Sequence, residues 1–134
     1  MNAPLDETKE WLYFAGEDIR SAHLLNKEGI FSQACYHAQQ CAEKSLKAYV
    51  VWKGGQVKRT HDLNVLMNEC RSLGGNELSV SEEGLDYLNK FYVPMRYPDA
   101  FLGSLPEGLP TDEDAHEVIE TAEQIYDVVQ RIVR

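Results

Sequence analysis

The sequence predicts an all-α protein, an up-and-down helical bundle of four to five helices. Three features carry this. Apolar residues recur at three- and four-residue steps along five stretches. Glycines and prolines gather between those stretches and are scarce inside them. No run shows the alternation of a half-buried strand. A chain of 134 residues holds one domain with a real core and is short for two, so residues 1–134 are read as a single helical domain.

The first helix is expected from Leu5 to Lys27, with Asp6 as N-cap and Glu7 and Glu10 near the positive end of its dipole. Trp11, Phe14, Ala15, Ala22 and Leu25 trace its buried face, and Gly29 stops it. Asp18 falls within about 20° of Trp11 on that face. A carboxylate there needs a partner, since burying it unpaired costs several kcal/mol or raises its pKa. The lysines of the second helix or Arg96 are the candidates; the alternative is a boundary Asp at the core's rim.

Gln33 to Trp52 reads as one long second helix, free of Pro and Gly and ended by Gly54-Gly55. At about 100° per residue, Gln33, His37, Gln40, Lys44 and Lys47 share an arc of roughly 80°. Ala34, Ala38, Cys41, Ala42, Leu46, Ala48 and Tyr49 cover much of the opposite side, where small side chains admit close neighbours. A narrow polar stripe on a helix built for burial is either a solvated edge or a binding site.

A third helix is expected from His61 to about Ser72, capped by Thr60, with His61 and Asp62 in its first turn. A fourth begins at Ser81, turns Leu85, Leu88, Phe91, Tyr92 and Met95 inward, and ends near Val93, before Pro94. Residues 96–110 carry three Pro and two Gly and read as an ordered loop whose first residues, Arg96 and Tyr97, point into a pocket or serve the scaffold. Thr111 to Asp114 opens the fifth helix in the manner of a capping box, and Arg131 and Arg134 close it.

The net charge of −9 argues against an extended nucleic-acid surface, because phosphate neutralisation needs surplus cations. A local basic pocket from Lys44, Lys47 and Arg96 stays compatible with it. No stretch has the apolar length of a membrane span, and the N-terminus lacks the pattern of a signal peptide. A cytoplasmic setting is the expectation. Cys35, Cys41 and Cys70 form no CxxC pair and read as small core residues, so neither a metal site nor a cofactor is expected.

Four segments in order, WLYFAGEDIRSAHLL, CYHAQQCAEKSLKAYV, RTHDL and RYPD, make the chain resemble the HEPN domain family. The matching positions are Ala15, Asp18 and Ala22; His37 to Ala48; Thr60 to Leu63; and Arg96 to Pro98. The resemblance implies a helical bundle, usually a homodimer, commonly paired with a minimal nucleotidyltransferase in a toxin–antitoxin-like system. Other branches are RNases using an Arg, a gap of four to six residues, and a His. That motif is missing here after Arg20, Arg59, Arg71 and Arg96 alike. The expected function is therefore a non-catalytic binding module for a nucleotide, a phosphate or a nucleotidyltransferase partner. Its candidate ligand-binding residues are His37, Gln40, Lys44, Lys47, Arg96 and Tyr97, supported by an ion network of Asp18 and Glu43. The alternative is a metal-independent RNase using His37 or His61.

Overall fold

The computed structural model describes residues 3–92 and 108–133. Among them run five helices: α1 (Ala3–Lys27), α2 (Phe31–Trp52), α3 (Leu63–Ser72), α4 (Glu82–Asn89) and α5 (Asp112–Ile132). No strand occurs among the described residues, as an all-α bundle requires.

Residues 28–30 join α1 to α2. Gly29, at φ +78, takes a left-handed conformation that costs a side-chain-bearing residue energy. Its N–H donates to the Asn26 carbonyl at 3.0 Å, and Ile30 N–H donates to Leu25 at 2.8 Å. These bonds satisfy the last carbonyls of α1 and reverse the chain. Gly54, at φ +81, ends α2 with an N–H bond to the Val51 carbonyl.

The tight reversal lays α1 and α2 antiparallel. Trp11 lies beside Lys47, Phe14 beside Lys44, and Asp18 beside His37. On its other flank α1 meets α5, also antiparallel: Gly16 abuts Tyr126 and His23 bonds Glu123. The central helix is α2, which packs against each of the other four. Ala34, Ala38, Cys41, Ala42 and Ala48 of α2 are wholly buried, and their small volumes allow the neighbours in closely. Leu46, Val50, Leu63, Leu66, Leu88, Phe91, Val118 and Val129 fill the remaining core. Each such side chain contributes about 1.5–3 kcal/mol on leaving water.

Several boundaries differ from the sequence expectation. The first helix begins at Ala3, so Asp6 lies in its first turn and is not its N-cap. Its core face is Leu12, Ala15, Ile19 and Ala22, while Phe14 is 49% exposed and Trp11 and Leu25 only half-buried. The second helix starts at Phe31, two residues early, with no side-chain cap at Ile30. Asp62, not Thr60, caps α3, accepting the Asn64 N–H at 2.9 Å. Thr60 Oγ instead accepts the Asp62 N–H at 3.1 Å, which leaves His61 in the connection before the helix. Ser81 caps α4, which closes at Asn89 rather than near Val93. Thr111 and Asp114 do form a reciprocal capping box on α5. Met95, Arg96, Tyr97 and Arg134 lie outside the described residues.

Candidate functional site

Two buried carboxylates organise the face where α1, α2 and the α2–α3 connection meet. Asp18 comes from α1, on the side turned toward α2, and is 7% exposed. Its Oδ2 accepts Lys44 Nζ at 2.7 Å, and its Oδ1 lies 2.9 Å from His37 Nδ1. His37 and Lys44 are seven residues apart on α2, two turns on one face, so both reach the same carboxylate. The sequence expectation that a second-helix lysine satisfies Asp18 holds for Lys44. Lys47 goes elsewhere.

Lys47 Nζ bonds Glu43 Oε2 at 2.9 Å, one turn back on the same helix. Glu43 also receives His61: Nδ1 lies 3.1 Å from Oε1 and 3.0 Å from Oε2. Gln40 Nε2 donates to Glu43 Oε1 at 3.2 Å and to Gln39 Oε1 at 2.8 Å. Gln39 Nε2 in turn donates to the His61 backbone carbonyl at 3.1 Å. Polar groups this deep must be paired, and here every carboxylate oxygen has a donor.

The pairing assigns the histidine tautomers. An ionised carboxylate only accepts, so each Nδ1 must carry its proton. In the neutral imidazole the lone pair then sits on Nε2. The side chains of His37 and His61 stay 31% and 50% exposed, so the rings remain reachable while their inner nitrogens are held. Aromatic rings fix them further. His61 stacks on Tyr92 with centroids 3.9 Å apart. Tyr36 meets His37 edge-on at 5.4 Å and lies 6.3 Å from Tyr92. The two imidazoles thus border one aromatic row. Lys44 and Lys47 lie over the rings of Phe14 and Trp11, at 6.0 and 5.5 Å, where cation–π attraction adds to their ion pairs.

Of the residues singled out from sequence, His37, Gln40, Lys44, Lys47, Asp18 and Glu43 are all brought to this face. Gln33 is exposed and makes no part of it. Arg96 and Tyr97 lie outside the described residues. Gln39, Tyr36 and Tyr92 were not expected here. Gln39 and Glu43 extend the polar arc of α2 beyond its expected edge, a signal the helical spacing already contained. The three thiols stay out of the site. Burial pushes Cys35 and Cys70 up to about 12, and Cys41 higher still, so all three are unreactive. Among the described residues no group of three or more His, Cys, Asp or Glu is placed to hold a metal ion.

The sequence that folds into this all-α bundle matches the HEPN domain family over residues 8–132. The chain belongs to that family. It is 30% identical over 128 residues to a Methanocaldococcus jannaschii protein named "Putative toxin MJ1304", the match spanning 90% of this chain and 84% of that protein. The solved structure of TT1696 from Thermus thermophilus superposes with a TM-score of 0.74 at 30% identity, covering 92% of this chain and 96% of that one. ST0689, described as an archaeal HEPN homologue, gives a TM-score of 0.70 at 27% identity, covering 95% and 98%. No helix among the described residues is long and apolar enough to cross a membrane.

Proposed function

We propose that this HEPN chain is a non-catalytic binding module. Its α1–α2 face takes a nucleotide or phosphate group, free or presented by a nucleotidyltransferase partner, within a two-component, toxin–antitoxin-like pair in the cytoplasm. A homodimer is the assembly that accompanies this reading. The observation that carries it is the pair of half-open imidazoles, His37 and His61, each held by a buried carboxylate along the Tyr36–Tyr92 row. Aromatic faces accept a base, the Lys44 ammonium offers a donor to phosphate, and the imidazole Nε2 lone pairs accept from a base amine or a ribose hydroxyl. The toxin name of the jannaschii relative supports the two-component setting.

Charge limits the strength of anion binding. Asp18 and Glu43 balance Lys44 and Lys47, so the face has no surplus cation while the imidazoles are neutral. Recognition should therefore rest on stacking and directed hydrogen bonds more than on net charge. Titration calorimetry with AMP, ATP and inorganic phosphate tests this. We expect AMP to bind and His61→Ala to weaken it about tenfold, the worth of one hydrogen bond. Absence of heat with all three ligands, at pH 6 as well as pH 8, would remove the reading.

The same two imidazoles favour a second reading, a metal-independent RNase. Phosphodiester cleavage without metal needs a general base and a general acid, and two oriented histidines can supply both. Purified protein would then cut RNA in the presence of EDTA, and His37→Ala or His61→Ala would each abolish cutting. Cleavage no greater than background across several RNAs ends it.

A further inference from the structure

His61 precedes α3 and belongs to no helix, yet it is held at both its ring and its backbone. The ring bonds Glu43 through Nδ1. Glu43 Oε1 accepts from Gln40, Gln40 also donates to Gln39 Oε1, and Gln39 donates to the carbonyl of His61 itself. The hydrogen bonds therefore close a ring: His61 imidazole, Glu43, Gln40, Gln39, His61 carbonyl.

The ring has one possible direction. The Gln39 amide nitrogen must donate, because a carbonyl can only accept, and that turns Gln39 Oε1 toward Gln40. Both Gln40 N–H groups are then committed, one to Gln39 and one to Glu43. Lys47 occupies Glu43 Oε2, which keeps the carboxylate an acceptor and His61 Nδ1 a donor. Gln39 is wholly buried, and a buried amide left unpaired is costly.

We propose that Gln39 is a positioning residue for His61. It anchors the backbone of the α2–α3 connection to α2, so that the imidazole meets Glu43 in one tautomer and presents its Nε2 edge in one place. This rests on the reading of the face as a binding site, and its test separates the two.

The test uses the full chain, labelled with ¹⁵N at histidine, at pH 8. Nitrogen shifts report which ring nitrogen carries the proton. Wild type should show His37 and His61 both protonated at Nδ1. Gln39→Met keeps the volume and removes the donor; Gln39→Asn keeps an amide but draws it back by one methylene from the His61 carbonyl. In both variants we expect His61 to shift to a mixture of tautomers while His37, held by Asp18, stays unchanged. AMP affinity should fall about tenfold, the effect of one lost buried hydrogen bond. If Gln39→Met fails to fold, Gln39→Asn decides alone. A His61 signal that keeps its single tautomer in a folded variant overturns the proposal, because Glu43 alone then suffices. A His61 signal that responds in a protein that does not bind AMP would uphold the positioning role and count against nucleotide binding.

Discussion

Glu43 and Asp18 play similar parts at different depths. Glu43 and Lys47 are 5% and 8% exposed at the side chain, Asp18 and Lys44 10% and 26%. Breaking a buried ion pair by removing one member costs about 3–5 kcal/mol, because the other charge is left behind. Lys47→Ala should approach that range, tempered by the His61 and Gln40 bonds that Glu43 keeps. Lys44→Ala leaves a carboxylate nearer to water and still bonded to His37, and should cost about 1–2 kcal/mol. Urea denaturation of both variants orders them; a larger loss for Lys44→Ala would contradict the depth argument. A sharper contrast lies at Gly16, where a Cβ would come 2.7 Å from the Tyr126 hydroxyl. Glycine inside a helix forfeits roughly 1 kcal/mol against alanine. Gly16→Ala should therefore stabilise by about 1 kcal/mol when the hydroxyl is removed in Tyr126→Phe, and be neutral or destabilising in the wild type. Thermal melts of the double-mutant cycle read the change of sign. Neither effect was visible in the sequence, where Gly16 is only a weak spot in a helix. The stripe of His37, Gln40, Lys44 and Lys47 was visible, because helical spacing alone places them together. What each one binds was not: His37 and Lys44 reach Asp18 of α1, while Gln40 and Lys47 bind Glu43 of their own helix, whose remaining partner, His61, comes from the connection before α3.

At the scale of elements, caps and ties decide where helices begin and how they hold together. The Thr111–Asp114 box was legible because its two members lie within one turn of each other in sequence and answer each other locally. The start of α3 was not. Thr60 and Asp62 are both good caps, and the structure uses each for the N–H two residues on. Choosing between them needed Asn89, which accepts the Leu63 N–H and bonds Asp62 from α4. The loop start at Arg96 lies outside the described residues. Asp114 also ties α5 to α4 by accepting the Tyr87 hydroxyl at 2.8 Å. Burial pushes the Asp114 carboxyl up, but bonds from the Thr111 backbone, the Tyr87 hydroxyl and the Thr111 hydroxyl outweigh it and hold the group below its ordinary value. A carboxyl lowered in the folded state stabilises the protein above its unfolded pKa, and that contribution fades as pH falls through the folded value. Tyr87→Phe should thus cost about 1–2 kcal/mol at pH 7 and less at pH 3. Chemical denaturation at both values tests it, and an equal loss would mean the Asp114 charge plays no part.

The whole molecule sets which ligands the face can take. With 13 Lys and Arg against 22 Asp and Glu, the chain repels a long polyanion, and the lysines of the candidate face are each paired with a carboxylate. A mononucleotide can sit at such a face by stacking and a few hydrogen bonds. A long RNA would bring many phosphates up to an acidic surface and release few counterions. We therefore expect AMP and a 20-nucleotide RNA to bind with similar affinity, and neither to weaken much between 50 and 200 mM salt. Fluorescence anisotropy across that range measures both slopes. A protein neutralising six to ten phosphates would lose about 10³–10⁵ in affinity over the same interval. A loss of that size for the RNA would mean that a cationic track runs past the histidines. Nucleic acid rather than a nucleotide would then be the natural occupant of the face.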